Sequence, residues 1–265
     1  MSRMVAPTPG AVRVWERQAL MFRRFWRTSV LGSFLQPLMY LMGMGLGVGA
    51  LVDAGDSSRE LLGGSTYLAF VAPGLLAAAA MNVSAQDSLW PMMDGFKWSN
   101  AYRAMTATPL TPAQVATGLA AWHATRALLT VAGVAAVLLL FAETRSWGLL
   151  VAVPAGVLTG LAFALPITAW SSTRERDTSF PAILRFGIIP MFLFGGVFYP
   201  VEQLPDAIQP VAQATPLWNG VELTRGAVAS TLELRAAAVH VAVLAAYAGI
   251  GYLACRRTFA NRLSS

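Results

Sequence analysis

Six transmembrane helices in one all-α membrane domain are what this sequence calls for, with an amphipathic interfacial helix ahead of them and a broken, re-entrant segment between spans five and six. Three observations lead there. Hydrophobic residues make up 56% of the chain and charged ones 12%, with a mean hydropathy of +0.56, whereas a soluble domain is about a quarter charged. The apolar residues gather into runs near the ~20 needed to cross a bilayer core as helix. Lys and Arg also sort by side of that layout. Fourteen fall with the termini: Arg3, Arg13, Arg17, Arg23, Arg24, Arg27, Lys97, Arg103, Arg174, Arg176, Arg185, Arg256, Arg257 and Arg262. Four (Arg59, Arg145, Arg225, Arg235) fall opposite, and Arg126 stays inside. Positive charge marks cytoplasmic loops, so both termini are expected in the cytoplasm.

Taken in order, Ala11 to Arg27 reads as an amphipathic helix. Trp15, Ala19, Phe22 and Trp26 share one face, with Arg13, Arg17 and Arg24 opposite. Such a helix lies in the headgroup layer, so residues 1–27 read as a cytoplasmic N-terminal unit and 28–265 as the transmembrane domain. No cleavable signal is evident, because the first apolar run is longer than a signal-peptide core. That run, Thr28 to Val52, is the first span. Its alternating Gly43, Gly45, Gly47 and Gly49 form small-xxx-small pairs for close helix contact, within the chain or between two copies. Asp53 to Glu60 is an acidic loop. The second span is Ser65 to Gln86, with a kink at Pro73-Gly74. Asp87 to Pro112 is polar enough for a short helix across the membrane surface. The third span, Ala113 to Phe141, carries His123 and Arg126; the fourth is Trp147 to Ser172, and the sixth Ala236 to Ala254.

The fifth span is different. Between Arg185 and Glu202 lie only about sixteen uncharged residues, too few to cross as helix. Gly195-Gly196 interrupts it, and Pro200, Pro205, Pro210 and Pro216 follow. The chain should enter, kink and fold back from the far surface, which irregular backbone does only where protein or a water-filled cavity satisfies it. A gate or exit is expected there.

The sequence excludes several chemistries. The lone Cys255 rules out an intrachain disulfide and suits a packing role. Two histidines and one cysteine make a metal site improbable. No carboxylate lies deep in a span, which weakens ion-coupled transport. His123 and Arg126 are the intramembrane polar candidates, with a packing partner or a snorkelling cation as their plainer readings. Glu202, Asp206 and Glu222 suit solvated turns better than acid–base catalysis. The only lysine, Lys97, sits between Phe96 and Trp98, so no phosphate-binding loop exists. No basic stripe interleaved with aromatics suggests nucleic acid.

FLFGGVFYPVEQLP followed by ATPLWNGVELTR, with MDGFKWSNAYRAMTATPLTPAQVATG upstream, resembles the permease subunits of type-2 ABC exporters over nearly the whole chain. The run Trp122 to Arg126 is similar to the lipo-oligosaccharide (nodulation-factor) and drug-export branch. The resemblance implies a homodimer in the bacterial cytoplasmic membrane, surrounded by lipid, with no enzyme activity or cofactor of its own; ATP and Mg²⁺ belong to a separate ATPase. It implies an amphiphilic cargo, export, and an ATPase-coupling segment built from Asp94, Phe96, Lys97, Trp98, Tyr102 and Arg103. It also implies a translocation seam and gate of Met39, Met42, Phe192, Phe194, Gly195, Gly196, Phe198, Tyr199 and Pro200. The rival readings are a self-contained carrier or channel, which would transport without ATP, and a membrane-embedded enzyme on a lipid-linked substrate, which would turn over without a partner.

Overall fold

The computed structural model describes residues 9–55, 62 and 64–263. Arg3, Arg59 and most of the Asp53 to Glu60 loop therefore lie outside the described residues. Helix α1 spans Gly10–Tyr40 and continues through a π-helical stretch, Leu41–Val48, into Gly49–Val52. There is no break at Arg27, where the interfacial helix was expected to end. Charge there falls away without any residue that stops a helix, so the backbone runs on. The π stretch coincides with the alternating glycines and splits their two pairs. Gly45 and Gly49 face Leu68 and Tyr67 of the next helix, while Gly43 and Gly47 meet no side chain.

Helix α2 (Tyr67–Asp87) is capped by Thr66, whose hydroxyl accepts from the Ala69 N–H. It is apolar on every side and buried nearly all round, as a core helix should be. Two short elements follow: α3 (Trp90–Met93), running on as a π turn over Asp94–Trp98, and α4 (Ala101–Thr106). Helix α5 (Pro112–Leu138) opens on a capping box between Thr111 and Gln114, with Pro112 in the first turn. Helix α6 (Leu149–Ser171) is the hub, packing on α2, α5, and two helices further along the chain.

Helix α7 (Phe180–Phe194) starts six residues before the expected Phe186 and places Arg185 inside a π turn, on the exposed side. A run counted from its first charge misses helical residues beyond that charge. Past the Gly195-Gly196 break come α8 (Gln209–Ala214) and α9 (Pro216–Ala229), then α10 (Leu234–Leu263). Thr215 caps α9 as Thr111 caps α5, and Ser230 ends it in the left-handed region at φ 58°. The α8–α9 turn lies against the outside of α10, part-way along its length. Tyr247 of α10 donates to Ala214 O at 3.1 Å; it sits thirteen residues along that helix, about 20 Å from its start. Helix α9 then returns beside α2 and α6. Its Gly220 stands so close to Thr159 that an added Cβ would lie 2.2 Å from the hydroxyl, the small-residue packing expected where helix backbones approach.

Among the described residues four helices are long and apolar enough to cross a membrane: Tyr67–Trp98, Pro112–Leu138, Leu149–Ser171 and Leu234–Leu263. Pro37–Val52 and Phe180–Phe194 are apolar but shorter. The protein is thus an all-helical, multi-pass membrane protein. Cys255 is buried and donates to Leu165 O at 3.0 Å, a packing role as expected. Arg225, counted by sequence with the charges opposite the termini, lies within α9 with its side chain 16% exposed. Two main-chain carbonyls, a ring and a carboxylate receive it there, which no count of loop charges could foresee.

Candidate functional site

At the end of the bundle where α10 finishes, α3 and α4 form a bent segment. Its elbow is Asn100, in the left-handed region at φ 52°, which Asn tolerates better than most residues. The bend turns Phe96 and Tyr102 inward, 3% and 1% exposed. Their rings meet edge to face at 4.8 Å, and Phe96 meets Phe259 of α10 at the same distance. The Tyr102 hydroxyl lies 3.6 Å from Met92 Sδ, and burial raises its pKa above the ordinary phenol value. These two residues, expected at a contact surface, hold the segment from within. Lys97, Trp98 and Arg103 face outward, and Asp94 is half-buried.

This segment is braced from behind by residues the sequence reading did not single out. Lys97 Nζ donates to Glu175 O at 2.6 Å and stands 3.7 Å from Glu175 Oε2. Arg262 pairs with Glu175 Oε1 at 3.2 Å, donates to the carbonyls of Ser172 and Arg174, and lays its guanidinium 4.6 Å from the Phe96 ring centre. One carboxylate therefore ties α3 and α10 to the α6–α7 loop. Arg262 and Glu175 were legible only as cytoplasmic charges, because no sequence spacing relates 97, 175 and 262.

Where α2 ends, Asp87 accepts from Arg126 Nε of α5 at 2.7 Å. Arg126 stacks on Phe22 of α1 at 4.6 Å, and Phe22 meets Trp122 edge to face at 5.6 Å. His123 Nε2 lies 3.1 Å from the Thr168 hydroxyl, whereas its Nδ1 has no partner among the described residues. The snorkelling arginine of the sequence reading thus has a carboxylate partner. His123 has the side-chain partner expected of a packed histidine. A cavity of about 190 Å³ opens beside the Asp87–Arg126 pair.

At the opposite end of the bundle, Gly196 adopts φ +79° and is buried, a conformation that strains any side chain. Arg225 clamps this break. Its guanidinium donates to Gly196 O at 2.6 Å and to Phe70 O at 3.3 Å, pairs with Glu222 at 3.0 Å, and lies 3.7 Å from the Phe70 ring centre. Thr224 beside it donates at 2.9 Å to the carbonyl of Pro73, the proline inside α2. The expected seam residues divide in two. Phe192 and Phe198 join Tyr40 of α1 in an aromatic cluster with centroids 5.0 to 6.1 Å apart. Tyr199 and Pro200 are half-buried beside it and Gly195 is buried, while Met39, Met42 and Phe194 point outward. Glu202 and Asp206 lie in the turn after the break, where Gln209 Nε2 reaches the Glu202 carbonyl and Asp206 Oδ1 at 3.4 Å. Among the described residues no cluster of His, Cys, Asp or Glu could hold a metal ion.

The chain is similar, over residues 12–228, to the ABC-2 type transporter family. Among individual proteins it is 30% identical over 253 residues to Nodulation protein J of Rhizobium leguminosarum bv. viciae, covering 94% of this chain and 93% of the relative. It is 29% identical to Nodulation protein J of Rhizobium meliloti (strain 1021), with 95% and 93% covered. To that of Bradyrhizobium diazoefficiens it is 30% identical, with 94% and 92% covered.

Proposed function

This chain belongs to the ABC-2 type transporter family, and on that premise we propose that it carries an amphiphilic cargo, a lipo-oligosaccharide or similar glycolipid, outward across a bacterial cytoplasmic membrane. It is a membrane permease rather than an enzyme, and it works with an ABC ATPase. ATP and Mg²⁺ sit on that second chain. The observation that carries the reading is the family match, which covers most of the chain. The cargo class follows from full-length similarity to relatives named for nodulation and from the branch its motifs resemble.

In this reading the two shorter apolar helices, Pro37–Val52 and Phe180–Phe194, complete six spans, both termini are cytoplasmic, and the α8–α9 hairpin is re-entrant. Two copies pair through an apolar face that the single chain leaves open: Met39, Met42, Phe186, Leu193 and Phe194, beside Gly43 and Gly47. The ATPase docks on Lys97, Trp98 and Arg103. Its closure shifts the braced α3–α4 segment, and the cargo leaves past the Gly195-Gly196 break.

The test is to purify the chain from its host with its neighbours. An ATPase should accompany it, and the pair should export in an ATP-dependent manner. The double variant Lys97→Glu, Arg103→Glu should keep the fold but lose the coupling of hydrolysis to export. A chain that purifies alone and still transports would overturn the proposal.

A further inference from the structure

The geometry points to a sugar-binding site in the cavity beside the Asp87–Arg126 pair, where the glycan end of the cargo is recognised before it crosses; this rests on the permease reading above. The cavity, about 190 Å³, is lined by Gln18 and Phe22 of α1, Asp87 at the end of α2, Met92 of α3, and Trp122 and Arg126 of α5. It lies at the end of the bundle where α10 finishes, since Ser171, the last residue of α6, donates to Ser88 O at 2.6 Å beside it.

What marks it as a site is the way the ion pair is made. Only Arg126 Nε engages Asp87 Oδ2, at 2.7 Å. Among the described residues, both terminal amino groups of Arg126 and Oδ1 of Asp87 are without hydrogen-bond partners. A packing ion pair this sheltered, 10% and 24% exposed, would normally close in the two-bond fork that guanidinium and carboxylate favour. Here the pair offers donors and an acceptor side by side.

That combination selects the ligand. A hydroxyl both donates and accepts, so neighbouring hydroxyls of a sugar ring satisfy the carboxylate and the guanidinium together. A phosphate needs donors only, and Asp87 would repel it. A cation needs acceptors only, and Arg126 would repel it. The remaining wall, Trp122, Phe22 and Met92, is apolar and suits the C–H face of a pyranose. Few polar groups on a largely apolar lining is the usual build of a small-ligand site.

The experiment uses the permease purified with its ATPase in phosphatidylcholine nanodiscs, probed with maltotetraose and cellotetraose by saturation-transfer NMR. Transfer to ring protons is expected with the native protein. It should fall about tenfold in Trp122→Ala and in Asp87→Asn, and Trp122→Phe, which keeps an aromatic platform, should restore it. Each variant is first checked for co-purification with the ATPase, so a misfolded one is set aside in favour of the others. No transfer to the native complex, or transfer unchanged in Trp122→Ala, overturns the site. So does displacement of the sugar by glycerophosphoethanolamine, which would assign the cavity to a zwitterionic lipid headgroup. All three outcomes leave the permease reading standing, because that reading fails only if no ATPase accompanies the chain.

Discussion

Arg225 is the residue that holds the Gly195-Gly196 break. Its guanidinium meets a ring, two main-chain carbonyls and a carboxylate at once, a set that only a planar, multiply donating cation can satisfy. Arg225→Gln should therefore lower stability by about 2–4 kcal/mol, from a lost cation–π contact and charged hydrogen bonds. Arg225→Lys should recover little of it. Thermal unfolding in detergent would check both. Glu175 provides the contrast. It is 75% exposed, and exposed ion pairs contribute about 0–1 kcal/mol, so Glu175→Gln should leave the melting temperature almost unchanged while it loosens the coupling segment and lowers ATP-driven export. The sequence displayed Arg225 as a charge after an apolar run. It could not display the Phe70 ring or the Gly196 carbonyl, because those partners come from positions far away in the chain.

At the scale of elements, local chemistry was easier to read than boundaries. The two Thr-Pro dipeptides at 111–112 and 215–216 begin helices by the same capping logic. The proline-rich stretch after Gly196 was expected to fold back from the far surface; in the structure it forms two helices that meet at Thr215, α8 ending at Ala214 and α9 beginning at Pro216. With a membrane-impermeant maleimide, Asp206→Cys should label from outside and Thr215→Cys should not; equal labelling would contradict the re-entrant hairpin. The helix through Arg27 and the start of α7 at Phe180 were not legible, since polarity changes there and backbone preference does not. The α3–α4 segment, proposed to meet the ATPase, was singled out from its aromatic and charged residues, but sequence could not tell its buried side from its exposed one. Phe96 and Tyr102 belong to a small core with Val14, Met92, Leu119 and Phe259. Phe259→Ala should remove about 3–5 kcal/mol and weaken ATPase binding through residues that never touch it, measurable as reduced co-purification.

At the scale of the whole molecule, composition carried the all-helical membrane class, because the bilayer admits so few solutions. What it left out is which faces remain uncovered. The outward face bearing Met39, Met42 and Phe194 belongs, in our reading, to the seam between two copies, so Met42→Cys should form an intermolecular disulfide under mild oxidation, seen as a dimer on a non-reducing gel. Exclusively monomeric bands would count against the pairing. The hairpin tip also has an electrostatic side. In our reading α9 begins within the membrane and aims the positive end of its aligned peptide dipoles, roughly half an elementary charge, toward the bilayer interior. On that reading the tip repels protons and metal cations more than an uncharged chain. A permease working as proposed would then hold ions back while its cargo leaves.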